Sequence, residues 1–92
     1  MKIYKISSSN TDKIYIGKSK QKYLSQRFAV HNYHYKLYLK NKFAFVSSFD
    51  VIKHGNCKIE SLGEYSDEEA KEMEKTFIQQ FKSIAVNKHF NN

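Results

Sequence analysis

The first seventeen residues constrain the fold more than any other part of the chain. Two short runs rich in β-branched and aromatic residues, 2–7 and 13–17, flank a cluster of turn-forming residues at 8–12. This pattern predicts an antiparallel hairpin with a loop of about five or six residues. A register that places Tyr4 opposite Tyr15 puts the two phenol rings on the same face of the sheet.

The stretch 23–39 contains neither Gly nor Pro, and its apolar side chains recur at helical spacing. It therefore predicts a helix with one core-facing stripe. The stripe is formed by Leu24, Phe28 and Tyr35. Arg27 and His31 lie beside this stripe and are four residues apart, so a helix stacks them on one face.

The second half of the chain continues the pattern of short elements. A short helix is predicted at 48–53, ended by Gly55, because glycine commonly follows the last helical residue. A third strand is predicted at 57–62, and Gly63 after it marks a bulge or a turn.

A capping box marks the start of the last helix. Ser66 is followed three residues later by Glu69, the pairing that satisfies free amides at a helix N-terminus. The apolar positions that follow are three and four residues apart and define one buried face: Ala70, Met73, Phe77, Ile78 and Phe81. Together the elements predict an α+β fold, a small three-stranded antiparallel sheet opened by the N-terminal β-hairpin and flanked by helices.

Length and composition narrow the class of protein. A chain of 92 residues with 40% hydrophobic content predicts a single domain over residues 1–92. The longest apolar run, 43–46, is far shorter than the roughly 20 residues of a membrane span, and no apolar signal segment opens the chain, so an intracellular location is expected. The single Cys57 excludes an internal disulfide, and without a glycine-rich phosphate loop no nucleotide cofactor is expected.

The positive charge is concentrated in the first half of the chain. The formal net charge is +7, and the segment 18–42 holds seven basic residues, no acidic residue and four interleaved tyrosines. This mixture is suited to phosphate contacts and to stacking on bases or sugars, so a polyanionic partner is expected. The alternative is a solvated helix face with lysine side chains extended into water.

Glu74 is a carboxylate within the apolar stripe of the last helix. Burial of its charge without a partner would be costly, so something must compensate it. A divalent metal is one candidate, because hard cations prefer carboxylate and water oxygens. A salt bridge and a position at the edge of the stripe are the others.

The order of these residues resembles the GIY-YIG endonuclease domain. Lys2-Ile3-Tyr4 and Tyr15-Ile16-Gly17 have ten residues between their tyrosines, and Arg27, His31, Glu74 and Asn87 follow. The resemblance covers nearly the whole chain and is closest to the stand-alone or N-terminal nuclease domains of homing endonucleases and large DNA viruses. The sequence departs from the family pattern at Lys2, which replaces the first glycine. Residues 88–92 are also too few to be the separate DNA-binding region that family members commonly append.

The resemblance implies a metal-dependent DNA endonuclease. Glu74 would hold one Mg²⁺ or Mn²⁺ ion against the scissile phosphate. Tyr4 would act as general base, with its pKa lowered by the metal and by basic neighbours such as Lys13. Tyr15 would position the water or a phosphate oxygen.

Three further roles follow from the same resemblance. Arg27 would clamp the phosphate in the transition state, and His31 would accept the proton from Tyr4. Asn87 would anchor the site, although a cap or turn role is an equal alternative. The expected DNA-backbone contacts are Lys13, Lys18, Lys20, Lys22, Lys36 and Lys40.

Two other classes of protein remain open at this point. The first is a catalytically weak or inactive nucleic-acid-binding module on the same fold. The second is a structural basic domain of a larger particle. The joint presence of Tyr4, Tyr15, Arg27, Glu74 and Asn87 favours the enzyme, because a binding module has no need of the whole set.

Overall fold

A computed structural model describes residues 1–87 of the chain, and residues 88–92 of the predicted domain lie outside the described part. The elements follow the predicted order of hairpin, helix, short helix, third strand and long helix. They are β1 (Lys2–Ser8), β2 (Thr11–Ser19), α1 (Leu24–Leu39), α2 (Phe49–Ile52), β3 (Cys57–Glu64) and α3 (Asp67–Gln80).

The strands form one antiparallel sheet in the order β2-β1-β3, and helices flank it, which confirms the predicted fold class. Tyr4 pairs with Gly17, and Tyr15 pairs with Ile6. The predicted pairing of Tyr4 with Tyr15 is therefore wrong by two residues. Because side chains alternate with a period of two, a shift of two residues leaves both tyrosines on the same face.

The hairpin loop is shorter than predicted. Pairing continues to Ser8 and Thr11, so only Ser9 and Asn10 connect the strands. The Ser8 hydroxyl accepts a hydrogen bond from the Asn10 amide at 3.0 Å, a local bond that tightens the turn. The predicted bulge at Gly63 is confirmed, since the pairing of β1 with β3 shifts there and Gly63 has a φ of 137°.

The central strand β1 supplies both cores, because its successive side chains point to opposite faces. Ile3 faces α3 within the cluster Ile3, Ile14, Ile16, Ala70 and Ile78. Tyr4 faces α1 and α2 within the cluster Tyr4, Ile6, Phe49, Val51 and Ile52. The predicted stripes of both long helices pack against these clusters, as their spacing required.

A local signal accounts for the start of α3. The Ser66 hydroxyl accepts a hydrogen bond from the Glu69 amide at 3.2 Å, and a Glu69 carboxylate oxygen accepts one from the Ser66 amide at 3.3 Å. The predicted capping box is therefore confirmed. Within residues 1–87, no helix combines the length and the apolar character that crossing a membrane requires.

The segment after α3 returns to the free edge of β2. The Ile14 amide donates to the carbonyl of Ile84 at 2.9 Å, and the Val86 amide donates to the carbonyl of Ile14 at 2.8 Å. These bonds cover part of the exposed strand edge and bring Asn87 alongside β2.

Candidate active site

The ring of Tyr4 crosses over Gly17 of the neighbouring strand. Tyr4 is fully buried on the central strand, and its ring lies across the backbone of the neighbouring strand β2. A Cβ atom at Gly17 would lie 2.9 Å from Cε1 of Tyr4 and closer still to its Cζ and Oη atoms. Gly17 is therefore required for space, and the hydroxyl group of Tyr4 contacts side chains of α1.

Gly17→Ala is expected to displace the Tyr4 ring. The buried ring cannot move away without disturbing its neighbours, so we expect a loss of about 1–3 kcal/mol in the free energy of unfolding. Urea denaturation measures this change, with Asp12→Ala, an exposed position on the same strand, as the control. Wild-type stability in Gly17→Ala would show that the ring does not cross the strand at this point.

A chain of hydrogen bonds begins at the Tyr4 hydroxyl. Its oxygen lies 2.8 Å from Nε2 of His31, and Nδ1 of His31 lies 3.0 Å from Oγ of Ser48. Arg27 Nε donates a hydrogen bond to the same tyrosine oxygen at 3.3 Å. Because Arg27 and His31 are four residues apart on α1, one helix face presents both side chains to Tyr4. Tyr4, Arg27 and His31 are therefore neighbours, as predicted.

Tyr15 completes the aromatic side of the site. Its ring centroid lies 6.4 Å from that of Tyr4 and 5.6 Å from that of His31. Burial raises the pKa of Tyr15 to about 12, and the nearby Tyr4 and Glu74 add to this rise. Tyr15 is therefore a neutral phenol at physiological pH.

The pKa of Tyr4 is also raised, mainly because burial disfavours the phenolate. The hydrogen bond and positive charge of Arg27 oppose this rise, and the charge of Glu74 adds to it. The positive group beside Tyr4 is thus Arg27, whereas Lys13 is exposed and lines a separate recess with Asp50 and the segment 83–87. The protein alone does not lower the pKa of Tyr4 as the sequence analysis expected.

Glu74 lies at the edge of the apolar face of α3. Its side chain is 17% exposed, and Oε1 lies 3.5 Å from Nζ of Lys18, whose side chain is 39% exposed. The charge of Glu74 is therefore compensated by a salt bridge and by a position at the edge of the apolar stripe, two of the three alternatives given from the sequence. The charge of Glu74 also acts on the pKa of both Tyr4 and Tyr15, so the carboxylate belongs to the same site.

Glu74 is not part of a larger cluster of metal-binding side chains in the described part of the chain. Among residues 1–87, no group of three or more His, Cys, Asp or Glu side chains is placed to hold a metal ion. A partly exposed carboxylate fits a hard divalent ion that keeps most of its water ligands, such as Mg²⁺. It does not fit a closed structural metal site.

Asn87 anchors the edge strand next to these residues. Its Nδ2 donates to the carbonyl of Ile16 at 2.7 Å, and its Oδ1 accepts from the amide of Ile16 at 3.0 Å. The buried side-chain amide of Asn87 therefore bonds both backbone groups of Ile16, as a neighbouring strand would. Ile16 is the residue between Tyr15 and Gly17. Of the two roles considered from the sequence, these contacts fit the anchor.

This geometry agrees with a comparison against known families. The family model described as the GIY-YIG catalytic domain matches residues 1–91. The chain belongs to the GIY-YIG family. The domain is therefore that of a nuclease, and its substrate is nucleic acid. No curated protein and no solved structure matched the chain.

The lysines predicted to bind DNA are all exposed, but this GIY-YIG domain does not gather them at one point. Lys18 pairs with Glu74, and Lys20 pairs with the exposed Asp67 at 3.2 Å. Lys22 lies over the ring of Tyr23, with 5.3 Å from Nζ to the centroid. The remaining predicted contacts are Lys13 on β2, Lys36 in the last turn of α1 and Lys40 at its C-cap.

An open cleft lies beside Arg27. Its volume is about 440 Å³, and it is lined by Met1, Lys18, Ser19, Lys20, Gln21 and Arg27. The acidic partners of the two lysines, Glu74 and Asp67, lie outside this lining, so two lysines and an arginine can face a phosphate in the cleft. Lys18 and Lys20, at the end of β2 and just after it, thus border Arg27.

Ser48 is the site residue that the sequence analysis missed. A serine before a short helix is usually read as a helix cap, and the position gives no other signal. Only the packing of α2 beside α1 brings its hydroxyl to His31.

His31 makes the stability of the fold dependent on pH. Burial, with the charges of Arg27 and His34, lowers its pKa to about 4, from 6.5 in the unfolded chain. Between these two pH values the unfolded state binds more protons than the folded state. The contribution of His31 to the free energy of unfolding is therefore fully present above pH 6.5 and is lost as the pH drops toward 4. We expect a loss of at most about 3 kcal/mol over this range.

This pH dependence can be assigned to His31 by substitution. Urea denaturation between pH 7 and about 4 should show a shallower decline in His31→Gln than in the wild type. His54→Gln is the control, because His54 is also partly buried and is not among the groups that lower the pKa of His31. An unchanged slope in His31→Gln would mean that His31 has the same pKa in the folded and unfolded states.

Proposed function

We propose that this GIY-YIG domain is a DNA endonuclease that hydrolyses phosphodiester bonds by a one-metal mechanism, with Mg²⁺ or Mn²⁺ at Glu74 and Tyr4 as general base. One observation carries the proposal. The oxygen of Tyr4 contacts both Nε2 of His31 and Nε of Arg27, and the carboxylate of Glu74 acts on the same phenol. A histidine and an arginine therefore contact one hydroxyl group, and the charge of a carboxylate reaches it, which supports the roles of proton acceptor, phosphate clamp and metal ligand for these three residues.

The raised pKa of Tyr4 decides how it acts as a base. Tyr4 is a phenol in the resting site, so it takes a proton from the attacking water only as it loses its own. The acceptor is Nε2 of His31, 2.8 Å away, and His31 is neutral at physiological pH because its pKa is about 4. The water oxygen bonds to phosphorus as the bond from phosphorus to the 3′ oxygen breaks. The imidazolium then returns its proton to Tyr4, and Tyr4 passes the proton it took from water to the 3′ oxygen or to solvent.

Arg27 can donate hydrogen bonds to Tyr4 and to a phosphate at the same time. Its Nε–H group is bonded to Tyr4, so the N–H donors of its two terminal nitrogens remain for a phosphate in the adjoining cleft. Negative charge grows on the phosphate oxygens in the transition state, where a fixed guanidinium stabilises it. Tyr15, a neutral phenol beside Tyr4, is placed to orient the water or a phosphate oxygen.

Glu74 is the proposed metal ligand because it is a lone, partly exposed carboxylate close to both tyrosines. When bound, a divalent ion supplies charge stabilisation at the scissile phosphate and the leaving oxygen. The partner of Glu74 in the structure, Lys18, is exposed enough to turn toward a phosphate when the carboxylate is otherwise engaged.

The substrate is proposed to be duplex DNA held by its backbone. The net charge of +7, the exposed lysines and the positive cleft support contacts with phosphates. Binding is then weak, little dependent on base sequence and steeply dependent on salt. For about three phosphate contacts, affinity falls roughly 40-fold between about 50 and 200 mM salt.

Cleavage of supercoiled plasmid tests the proposal. The wild-type protein is expected to nick or linearise the plasmid with Mg²⁺ or Mn²⁺ and to stop when EDTA is added. Gel-shift titration at two salt concentrations measures binding in parallel. Salt-dependent binding with no cleavage under any metal would establish the alternative, a nucleic-acid-binding module on the same fold.

A further inference from the structure

Ser48 occupies a helix-cap position without acting as a cap. It precedes α2, yet its backbone is already helical, with φ −59° and ψ −22°, and its side chain caps no amide of the helix. The residue is fully buried, so its hydroxyl must find a partner elsewhere. That partner is His31, with Oγ 3.0 Å from Nδ1.

The short helix α2 holds this hydroxyl rigidly. The carbonyl of Ser48 accepts bonds from the amides of Val51 and Ile52, each at 3.0 Å, so Ser48 is tied into the first turn. Phe49, Val51 and Ile52 are all buried in the core cluster that contains Tyr4. The hydroxyl position therefore depends on the same packing that fixes Tyr4.

The tautomer of His31 decides whether it can take a proton from Tyr4. A neutral imidazole carries one N–H group, and the partner of one nitrogen determines where that proton lies. Nε2 faces Tyr4, and Nδ1 faces Ser48. Acceptance at Nε2 requires that the proton be on Nδ1, which then donates to Oγ of Ser48.

We propose that Ser48 is a positioning residue that keeps the His31 proton on Nδ1 and so leaves Nε2 free to accept the proton of Tyr4. The inference rests on the proposed function, because it assigns His31 the role of proton acceptor. A hydroxyl suits this task because it is neutral. A carboxylate at the same place would favour the imidazolium, which cannot accept a further proton.

The charged form of His31 keeps this contact. After Nε2 takes the proton from Tyr4, Nδ1 still donates to Oγ of Ser48, and the ring does not need to turn. When Nε2 returns its proton to Tyr4, the tyrosine releases the proton it took from water to the leaving 3′ oxygen or to solvent, and the site returns to its starting state. Ser48 therefore never gains or loses a proton and acts only through His31.

Nitrogen NMR of the histidine rings tests the tautomer without DNA or metal. The His31 signals are identified by their absence from His31→Gln. In the wild type at pH 7, Nδ1 of His31 is expected to be protonated and Nε2 to be unprotonated. In Ser48→Ala this preference should weaken or reverse, whereas the neighbouring Ser47→Ala should keep it. A wild-type ring with its proton on Nε2 would overturn the proposal.

Kinetics give a second and separable measurement. Ser48→Ala is expected to lower kcat about 10- to 100-fold with little change in KM, as loss of a partner that orients a catalytic group does. Ser48→Thr, which keeps a hydroxyl, should recover part of this loss, and Ser47→Ala should match the wild type. Equal kcat in Ser48→Ala and Ser47→Ala would overturn the positioning role.

The two measurements separate this inference from the proposed function. A wild-type protein that shows the Nδ1–H tautomer but cleaves no DNA with any metal would refute the nuclease mechanism. The effect of Ser48 on the tautomer would stand in that case. A wild-type protein that cleaves DNA with the proton on Nε2 would refute the role of Ser48 and the role of His31 as proton acceptor, and the endonuclease activity itself would stand.

Discussion

Glu74→Gln is expected to abolish Mg²⁺-dependent cleavage while the protein remains folded and bound to DNA. The amide keeps the shape and polarity of the side chain but removes the charge that holds a hard cation. Cleavage of supercoiled plasmid over a range of Mg²⁺ concentrations measures the effect. Glu72→Gln is the matched control, because Glu72 is an exposed carboxylate on the same helix.

The ion pair with Lys18 sets the expected side effects of Glu74→Gln. Both partners are partly exposed, so the loss of the pair should cost no more than about 1 kcal/mol in the free energy of unfolding. Such a loss corresponds to a fall in Tm of at most about 4–8 °C for a domain of this size. Lys18 is also released, so affinity for DNA should hold or rise slightly.

Two outcomes would count against the metal assignment. Near wild-type cleavage by Glu74→Gln would leave the proposed metal without its ligand. A variant that unfolds under conditions in which Glu72→Gln remains folded would make Glu74 a structural residue.

Tyr4→Phe is expected to lower kcat by about 10²- to 10⁴-fold, the usual contribution of a general base. The substitution keeps the buried ring and the packing across Gly17, and it removes only the oxygen that contacts His31 and Arg27. Loss of that oxygen leaves polar groups unpaired, so stability should fall by about 1–3 kcal/mol. KM for DNA should change little, because the proposed role of the phenol is proton transfer and the proposed backbone contacts are made by exposed lysines.

The measurement pairs plasmid cleavage with urea denaturation. Tyr35→Phe is the control, since Tyr35 is an aromatic residue of α1 that packs on Phe49, away from the hydrogen-bond chain. If Tyr4→Phe cleaves at the wild-type rate, another group removes the proton from water. If its KM rises while kcat is unchanged, Tyr4 serves binding instead of proton transfer.

The candidate catalytic residues could be named from the sequence, but their surroundings could not. The order of Tyr4, Tyr15, Arg27, His31 and Glu74 carries the family resemblance, and the match over residues 1–91 confirms the family. The sequence predicted that a bound metal and basic neighbours together lower the pKa of Tyr4, whereas the protein by itself raises it, because residues that are distant in the chain bury the phenol. The nearby charge is Arg27, whereas the sequence suggested Lys13.

Local signals determined most of the secondary structure. Helical and strand periodicity, the capping box at Ser66 and the bulge at Gly63 act through neighbours within a few residues, so they can be read along the chain. Periodicity also placed Tyr4 and Tyr15 on one face. It could not distinguish registers two residues apart, because these present the same side chains to each face.

The family, the α+β fold, the faces of the long helices and the candidate catalytic residues can all be recognised along the chain. The pairing of Lys18 with Glu74, the crossing of Tyr4 over Gly17 and the contact of Ser48 with His31 become visible only in the folded protein. The physical reason is separation along the chain. Each of these contacts joins different elements, and their distances are set by how helices pack on the sheet and not by any local pattern.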